Sequence, residues 1–272
     1  MVESRGLVLS FHPFIKGDIN ILLAGRPLSK RQRDLVRKAK VVILSQGCKG
    51  ETYWFCRLHC KYVFPNYDYR FPGEGKVGDA FLFKLFGMPH PPTYIYINTE
   101  DFYKRHPKLK GIPLSYPFIL KGDRGGEGSM VFLIKNEADL REKISLLGKK
   151  EGFVLQKYIP IDRDLRVVII GSRHFYYWRI QKDKTEWRTN VGRGAIIDYD
   201  VPESVKDEID NLLERFLRAT GINLAAMDIL YSGDGPLFLE INYYFGRRGL
   251  GGSEQFYQFL NQAVKEWLSQ IL

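Results

Sequence analysis

The sequence has little cysteine and no long apolar run. Three cysteines, Cys48, Cys56 and Cys60, stand among 272 residues. An odd count without compact spacing argues against a disulfide-built secreted domain. Zinc wants four closely spaced ligands, and Cys56, Cys60 and the adjacent His59 fall short, so reduced, partly buried thiols are expected. The longest apolar stretches, Val41–Leu44 and Val167–Ile170, are far from the roughly 20 residues that span a bilayer. Glu3 stands where a signal peptide would be basic, and no cleavage pattern follows. A cytoplasmic chain without a membrane partner is expected. Nucleotide-binding signatures of the commonest kinds are also missing. No Gly-Lys-Ser/Thr closes a Walker A loop, and the glycine-rich run 121–128 does not open a helix as a Rossmann fingerprint must. The five histidines (12, 59, 90, 106, 174) are scattered, with no sign of a Ser–His–Asp or Cys–His arrangement.

Acidic residues are in deficit: 31 Asp and Glu face 41 Lys and Arg, a net charge of +10. The excess concentrates in residues 26–40, where seven basic residues stand against Asp34. Such a segment suits nucleic acid, an acidic peptide, a phosphorylated ligand or simply solvent, and net charge does not choose among them. Apolar residues are plentiful at 44%, with 18 Phe and 16 Tyr, which excludes a disordered chain.

Short apolar runs alternate with helical patterns in the first part of the chain. Strands are expected at 6–12, 19–24, 41–45 and 62–64, with a helix over 29–40 capped by Ser29 and another from Glu51. That alternation predicts a small parallel α/β unit. A helix is expected to open within 73–79 and to end at Gly87-Met88-Pro89. From Pro117 the pattern changes: a hairpin over 118–134 with a glycine-rich tip, a helix over 137–147, and strands over 153–158, 165–170 and 174–180. Helical stripes cover 204–220 and 254–268. The expected division is 1–75, 76–158 and 159–272.

The strongest constellation lies near the C-terminus. Ala225–Tyr231 and Leu237–Asn242 read as strands joined by a turn at Ser232–Pro236. A hairpin centred on Asp234 places Asp228 opposite Glu240, and period-two alternation puts Glu240 and Asn242 on one face. Directly opposed carboxylates repel unless something offsets them, and a hard divalent cation such as Mg²⁺ would; a solvated hairpin edge is the plain alternative. Lys121-Gly-Asp-Arg-Gly-Gly-Glu-Gly128 is a second feature, because glycine-rich backbone can close over a phosphate. A third is the series Arg163, Asp164, Arg166, Arg179, Arg188, Asn190 and Arg193, since arginines inside strands are uncommon unless paired or facing an anion.

These features occur together and in order: Lys76 with Gly87–Thr93, Lys121–Gly128, Gln156–Ile159, Asp164–Gly171, Arg179-Ile180, Trp187–Gly194, Met227-Asp228 and Leu239–Asn242. The set resembles the ATP-grasp superfamily, and within it the RimK-type and glutathione-synthetase-type carboxylate–amine ligases. The resemblance implies an α/β ATP-grasp fold: a small N-terminal parallel α/β domain, a hairpin-containing lid and a C-terminal antiparallel-sheet α+β domain. It implies ATP and two Mg²⁺ ions, with Mn²⁺ as a substitute. Lys76 and Lys121 would touch phosphates, and Gly125, Gly126 and Gly128 would lie in the loop above them. Gln156, Lys157, Tyr158 and Ile159 would meet adenine, and Asp164 would shape the nucleotide side. Asp228, Glu240 and Asn242 would hold metal, with Glu240 bridging. Arg166, Arg188 and Asn190 would face the γ-phosphate and the acceptor carboxylate.

The implied activity is ATP-dependent carbon–nitrogen ligation through an acylphosphate, joining a carboxylate-bearing small molecule or peptide to an amine. A phosphotransferase on the same scaffold is the rival enzyme, and an inactive nucleotide- or nucleic-acid-binding protein the rival from another class. Paired metal carboxylates count against the latter, so nucleic acid is not expected as a partner. The chain departs from the family at Lys157, where an acid is usual, and at Tyr243–Gly249, which replaces the usual Ser-Ser/Thr-Pro-Gly. Those aromatics either line an acceptor pocket, with Arg247 and Arg248 beside it, or join the core.

Overall fold

Four short strands form the first sheet, and its two central ones, at 8–10 and 41–43, are buried along their whole length. Val8–Ser10 (β1), Ile19–Asn20 (β2), Val41–Ile43 (β3) and Tyr62–Phe64 (β4) pair in parallel in the order β2-β1-β3-β4. The structure, a computed structural model, describes residues 6–123, 129–183, 185–232 and 235–272. The crossovers that a parallel sheet needs are Lys30–Lys38 (α1) and Gly50–His59 (α2). Ser29 caps α1 in a capping box with Gln32, satisfying two otherwise orphaned N–H groups. Val36 is the buried residue of that helix, and most of its basic side chains are exposed. Arg33 and Arg37 stack over Phe55 on α2 at 5.8 and 5.2 Å. The strand expected over 19–24 ends at Asn20, because Ala24 and Gly25 take positive φ and the Arg26 N–H donates to the Leu23 carbonyl, closing a turn.

The helix expected to open within 73–79 is divided. Arg70–Gly73 (α3) precedes Lys76–Leu85 (α4). Gly75 between them has φ +125°, and a Cβ there would lie 2.4 Å from Asp123. Asp123 Oδ1 instead accepts from the Val77 N–H at 2.9 Å, capping α4 from the next layer.

That layer is an antiparallel sheet, β5-β8-β6-β7, of Thr93–Tyr96 (β5), Phe118–Gly122 (β6), Val131–Ile134 (β7) and Phe153–Lys157 (β8). Thr99–Arg105 (α5) and Glu137–Ser145 (α6) pack with it around Phe102, Phe118, Leu140 and Phe153. The hairpin register pairs Phe118 with Ile134 and Lys121 with Val131.

The third sheet comprises Arg163–Ile170 (β9), Arg173–Ile180 (β10), Ile196–Asp198 (β11), Leu224–Ser232 (β12) and Gly235–Asn242 (β13), in the order β11-β10-β9-β12-β13. Alternation gives it two faces. Leu165, Val167, Ile169, Ala225 and Met227 pack with Ile209, Leu213 and Phe216 of Glu203–Thr220 (α7). Val168, Ile170, Leu224 and Ala226 pack with Phe256, Leu260 and Val264 of Ser253–Ile271 (α8). Two residues further along the second face, the apolar series gives way to Arg166 on β9 and Asp228 on β12, and then to Asp164. No helix among the described residues is long and apolar enough to cross a membrane.

Candidate active site

The charged end of that face follows from register. β9 sets Arg166 opposite Asp228, and β13 sets Glu240 opposite Asp228 on its other side. The hairpin is not regular throughout. Ser232 pairs with Gly235 and Ile229 with Phe238, and the register shifts between Asp228 and Ile229. A turn one position tighter than the sequence suggested is thus compensated by a bulge at Leu239, which restores the Asp228–Glu240 pairing.

Side-chain cations offset the opposed carboxylates, where the sequence reading assigned that task to a metal. Arg166 holds Asp228 by two bonds, Nε to Oδ1 at 2.6 Å and Nη2 to Oδ2 at 2.7 Å. Arg179 approaches the same Oδ2 at 3.0 Å and also pairs with Asp164 through Nε at 2.8 Å and through Nη2. Lys76, the first residue of α4, reaches Glu240 Oε2 at 2.6 Å. Burial raises the Asp228 pKa, but Arg166 and Arg179 outweigh it and hold the carboxylate well below its ordinary range. Glu240 is likewise pushed up by burial and brought below its ordinary value by Lys76. Asp164 stays above its ordinary value, since burial exceeds the attraction of Arg179.

Asn242 closes the group, its Nδ2 donating to Glu240 Oε1 at 3.1 Å and approaching Asp228 Oδ2 at 3.4 Å. Among the described residues no set of three His, Cys, Asp or Glu side chains could hold a metal. Two carboxylates and an amide nevertheless converge as hard oxygen donors once the Asn242 amide is turned about. That fits Mg²⁺, which takes one or two carboxylates and completes its shell with phosphate and water.

The facing wall belongs to the antiparallel lid sheet. Lys76, Phe83, Thr93, Lys121, Gln156 and Leu239 line a narrow cleft. Gln156 is buried and its Nε2 donates to Thr93 Oγ1 at 2.8 Å. Lys121 is 8% exposed, and burial lowers its pKa to about 8 against the pull of Glu240. Lys157 is exposed, and its backbone N–H donates to the Pro92 carbonyl at 2.9 Å. Tyr158 and Ile159 are half-buried, with the Tyr158 ring edge-on to Trp187 at 6.1 Å. Gly125, Gly126 and Gly128 lie outside the described residues.

Arg188 and Arg193 converge on Glu186 at 2.9 and 3.4 Å, and Asn190 is half-buried beside them. The Tyr243–Gly249 turn decides between its two readings. Tyr243 and Phe245 are buried in the core, Tyr244 is exposed, and Arg247 lies over Phe256 and Tyr257 at 4.6 Å. The cysteines are buried or half-buried thiols. Burial pushes Cys48 up to about 11 and Cys56 up to about 12, which keeps both thiols protonated at neutral pH. One histidine does find an acid, contrary to the sequence reading: His174 Nδ1 lies 2.6 Å from Asp210 Oδ1, because α7 packs on β10.

Sequence reasoning missed two residues of the site. Arg179 belongs to the basic series and to the resembling motifs, but the sequence assigns it no role, whereas its second contact ties Asp164 to Asp228. Asp79, three positions after Lys76, is buried, accepts from the Ile241 N–H at 3.2 Å and has its pKa raised well above normal by burial, despite Lys76. Its position one helical turn from Lys76 was the available signal.

Residues 80–256, more than half of the chain, match the family model described as the RimK-like ATP-grasp domain. The chain is 26% identical over 155 residues to human N-acetylaspartylglutamate synthase A, covering 55% of this chain and 37% of that protein. It is 30% identical over 144 residues to a probable alpha-L-glutamate ligase of Stutzerimonas stutzeri, covering 51% and 45%. The match thus spans less than half the length of either relative. Among solved structures, the RimK-domain ATP-grasp protein of Sphaerobacter thermophilus superposes with a TM-score of 0.64 at 15% identity, covering 94% of this chain and 98% of that one. The D-alanine–D-alanine ligase of Bacillus anthracis gives 0.61 at 12% identity, covering 93% and 86%. With the three sheets, the lid-facing cleft and the Asp228–Glu240–Asn242 row in place, the chain belongs to the RimK-like ATP-grasp family.

Proposed function

We propose that this chain is an ATP- and Mg²⁺-dependent carboxylate–amine ligase that forms an amide or peptide bond through an acylphosphate. The observation that carries this reading is the convergence of two lysines on a carboxylate group: half-buried Lys76 lies 2.6 Å from Glu240, buried Lys121 lines the same cleft as Lys76 and feels the charge of Glu240, and Asn242 and Asp228 adjoin Glu240. A site that only stored charge would have no reason to bury Lys121 at a cost to its protonation.

Lys76 and Lys121 hold the nucleotide phosphates, and Gln156 with the backbone of 157–159 borders the base. Asp228, Glu240 and Asn242 would hold Mg²⁺, which when bound would supply charge neutralisation for the transferring phosphoryl group. A substrate carboxylate oxygen attacks the γ-phosphorus while the bond to the ADP leaving oxygen breaks. Two anions are brought together in that step, and Arg166 and Arg188 supply fixed positive charge that does not titrate at neutral pH. The amine nitrogen then attacks the acyl carbon and phosphate leaves. No protein nucleophile is required.

The names of the human and Stutzerimonas relatives above both contain glutamate, so L-glutamate is the first amine to test. Purified protein is assayed for ADP and phosphate release against amino acids, small dicarboxylates and acidic peptides, with mass spectrometry of the products. Carboxylate-dependent ADP release with a product heavier by one condensed amine is expected. ATP turnover indifferent to every carboxylate, or a phosphorylated product that no amine consumes, overturns the ligase reading.

A further inference from the structure

Residues 187–194 carry Arg188, Asn190 and Arg193, yet the residue between the first two is buried. Thr189 is 6% exposed, and its Oγ1 donates to Asp164 Oδ2 at 2.7 Å. Asp164 is itself buried, takes both Nε and Nη2 of Arg179, and through Arg179 is joined to Asp228. Thr189, Asp164, Arg179 and Asp228 therefore form an unbroken buried run from this segment to the metal-site carboxylate. A second anchor holds the segment from its other side: Gln181 Nε2 donates to the carbonyls of Arg188 at 3.0 Å and Arg193 at 3.2 Å.

We infer that Asp164 and Thr189 are a positioning pair: Asp164 acts through Thr189 to fix Arg188 and Asn190, and through Arg179 to fix Asp228, in place of the nucleotide contact expected from the sequence. The inference rests on the ligase reading for what Arg188 and Asn190 meet. Asp164 has two oxygens and three donors. Removing the hydroxyl of Thr189 leaves both Arg179 bonds in place, so the metal-site wall keeps its geometry while the segment loses its inward pin. A general packing role would disturb both walls together. The pair therefore predicts a split between acceptor and nucleotide that volume alone would not produce.

Thr189→Val removes the hydroxyl at nearly constant volume, and Thr189→Ser restores it. With Thr189→Val, Kd for a non-hydrolysable ATP analogue with Mg²⁺ should stay within about twofold of wild type. The acceptor carboxylate's kcat/KM should fall about tenfold or more, the scale of one lost hydrogen bond to a charged group. Thr189→Ser should recover most of it. Amide hydrogen exchange over 188–194 in the protein without nucleotide should quicken in Thr189→Val and return in Thr189→Ser. Unchanged exchange and kcat/KM in Thr189→Val overturn the inference. So does an equal loss of analogue affinity and acceptor kcat/KM, or a folded Thr189→Ser that behaves like Thr189→Val. Should wild type show no carboxylate-dependent ADP release at all, the ligase reading fails, and the exchange comparison alone still decides whether the pin exists.

Discussion

On the C-terminal wall of the cleft, Asp164, Arg166, Arg179 and Asp228 are buried or nearly so and bonded to one another. On the lid wall, Lys121 is as deeply placed, but burial drives its pKa down to about 8. Lys76 stands between the two, with Glu240 raising its pKa above normal against the burial that would lower it. One wall thus completes its electrostatics within the protein, and the other leaves a cation under-compensated. Paired buried charges fix geometry at little net gain, whereas an under-compensated one is a stored preference for an anion. On the proposed reading, the lid wall is the side that takes phosphate.

The largest test of that contrast removes the carboxylate through which the walls meet. Glu240→Gln should cut turnover about 100-fold or more while the fold survives, because the loss of a metal-site carboxylate exceeds the 10–100-fold cost typical of outer-shell partners. Steady-state ADP release alongside a melting curve checks it.

Next comes the self-contained wall. Arg179→Met should destabilise the protein by about 3–5 kcal/mol, since it strips the cation from Asp164 and half of the pairing from Asp228. Urea unfolding measures this, and a loss under about 1 kcal/mol would show that the arginine is dispensable to the network.

Lys121→Met should behave in the opposite way. Without ligand it should leave the melting temperature unchanged or raise it, because a poorly compensated buried ammonium is removed. Affinity for MgATP analogues should nevertheless fall, by about 1.5–3 kcal/mol for a lost charged contact. Calorimetry separates the two effects.

The same lysine sets a pH dependence. Its pKa is lower in the folded protein than in the unfolded chain, so between about pH 8 and its ordinary value of 10.5 the unfolded state binds more protons. Stability from this group therefore rises with pH across that window. Phosphate binding needs the ammonium, so analogue affinity should fall as pH rises above about 8, and Lys121→Arg should abolish that fall. The smallest effect belongs to a residue on neither wall. Tyr244→Ala, at an exposed position, should change stability by less than about 0.5 kcal/mol.

Much of the site was legible because strand arithmetic is local. Asp228 and Glu240 face each other, as the hairpin spacing required, and Lys121 lies at the end of its strand. The turn was misplaced by one position, and the bulge at Leu239 absorbed the error. Asp164 could not be placed in the same way. Its neighbours in sequence say that it sits on a strand, but only the β9–β10 pairing and the path of residues 185–195 bring Arg179 and Thr189 to it.

The sequence by itself determined the family, the order of the strands along the chain and the identities of the convergent carboxylates, because these depend on period-two alternation and on motif order. The tertiary structure decided what neutralises those carboxylates, which aromatics join the core, and that Asp164 is bonded to Arg179 and Thr189 while Asp228 is held by Arg166 and Arg179. Those outcomes depend on contacts between residues far apart in the chain. His174 with Asp210, Asp79 with Ile241 and Thr189 with Asp164 are separated by 36, 162 and 25 positions. No local pattern encodes such distances, because they arise only when helices and sheets pack.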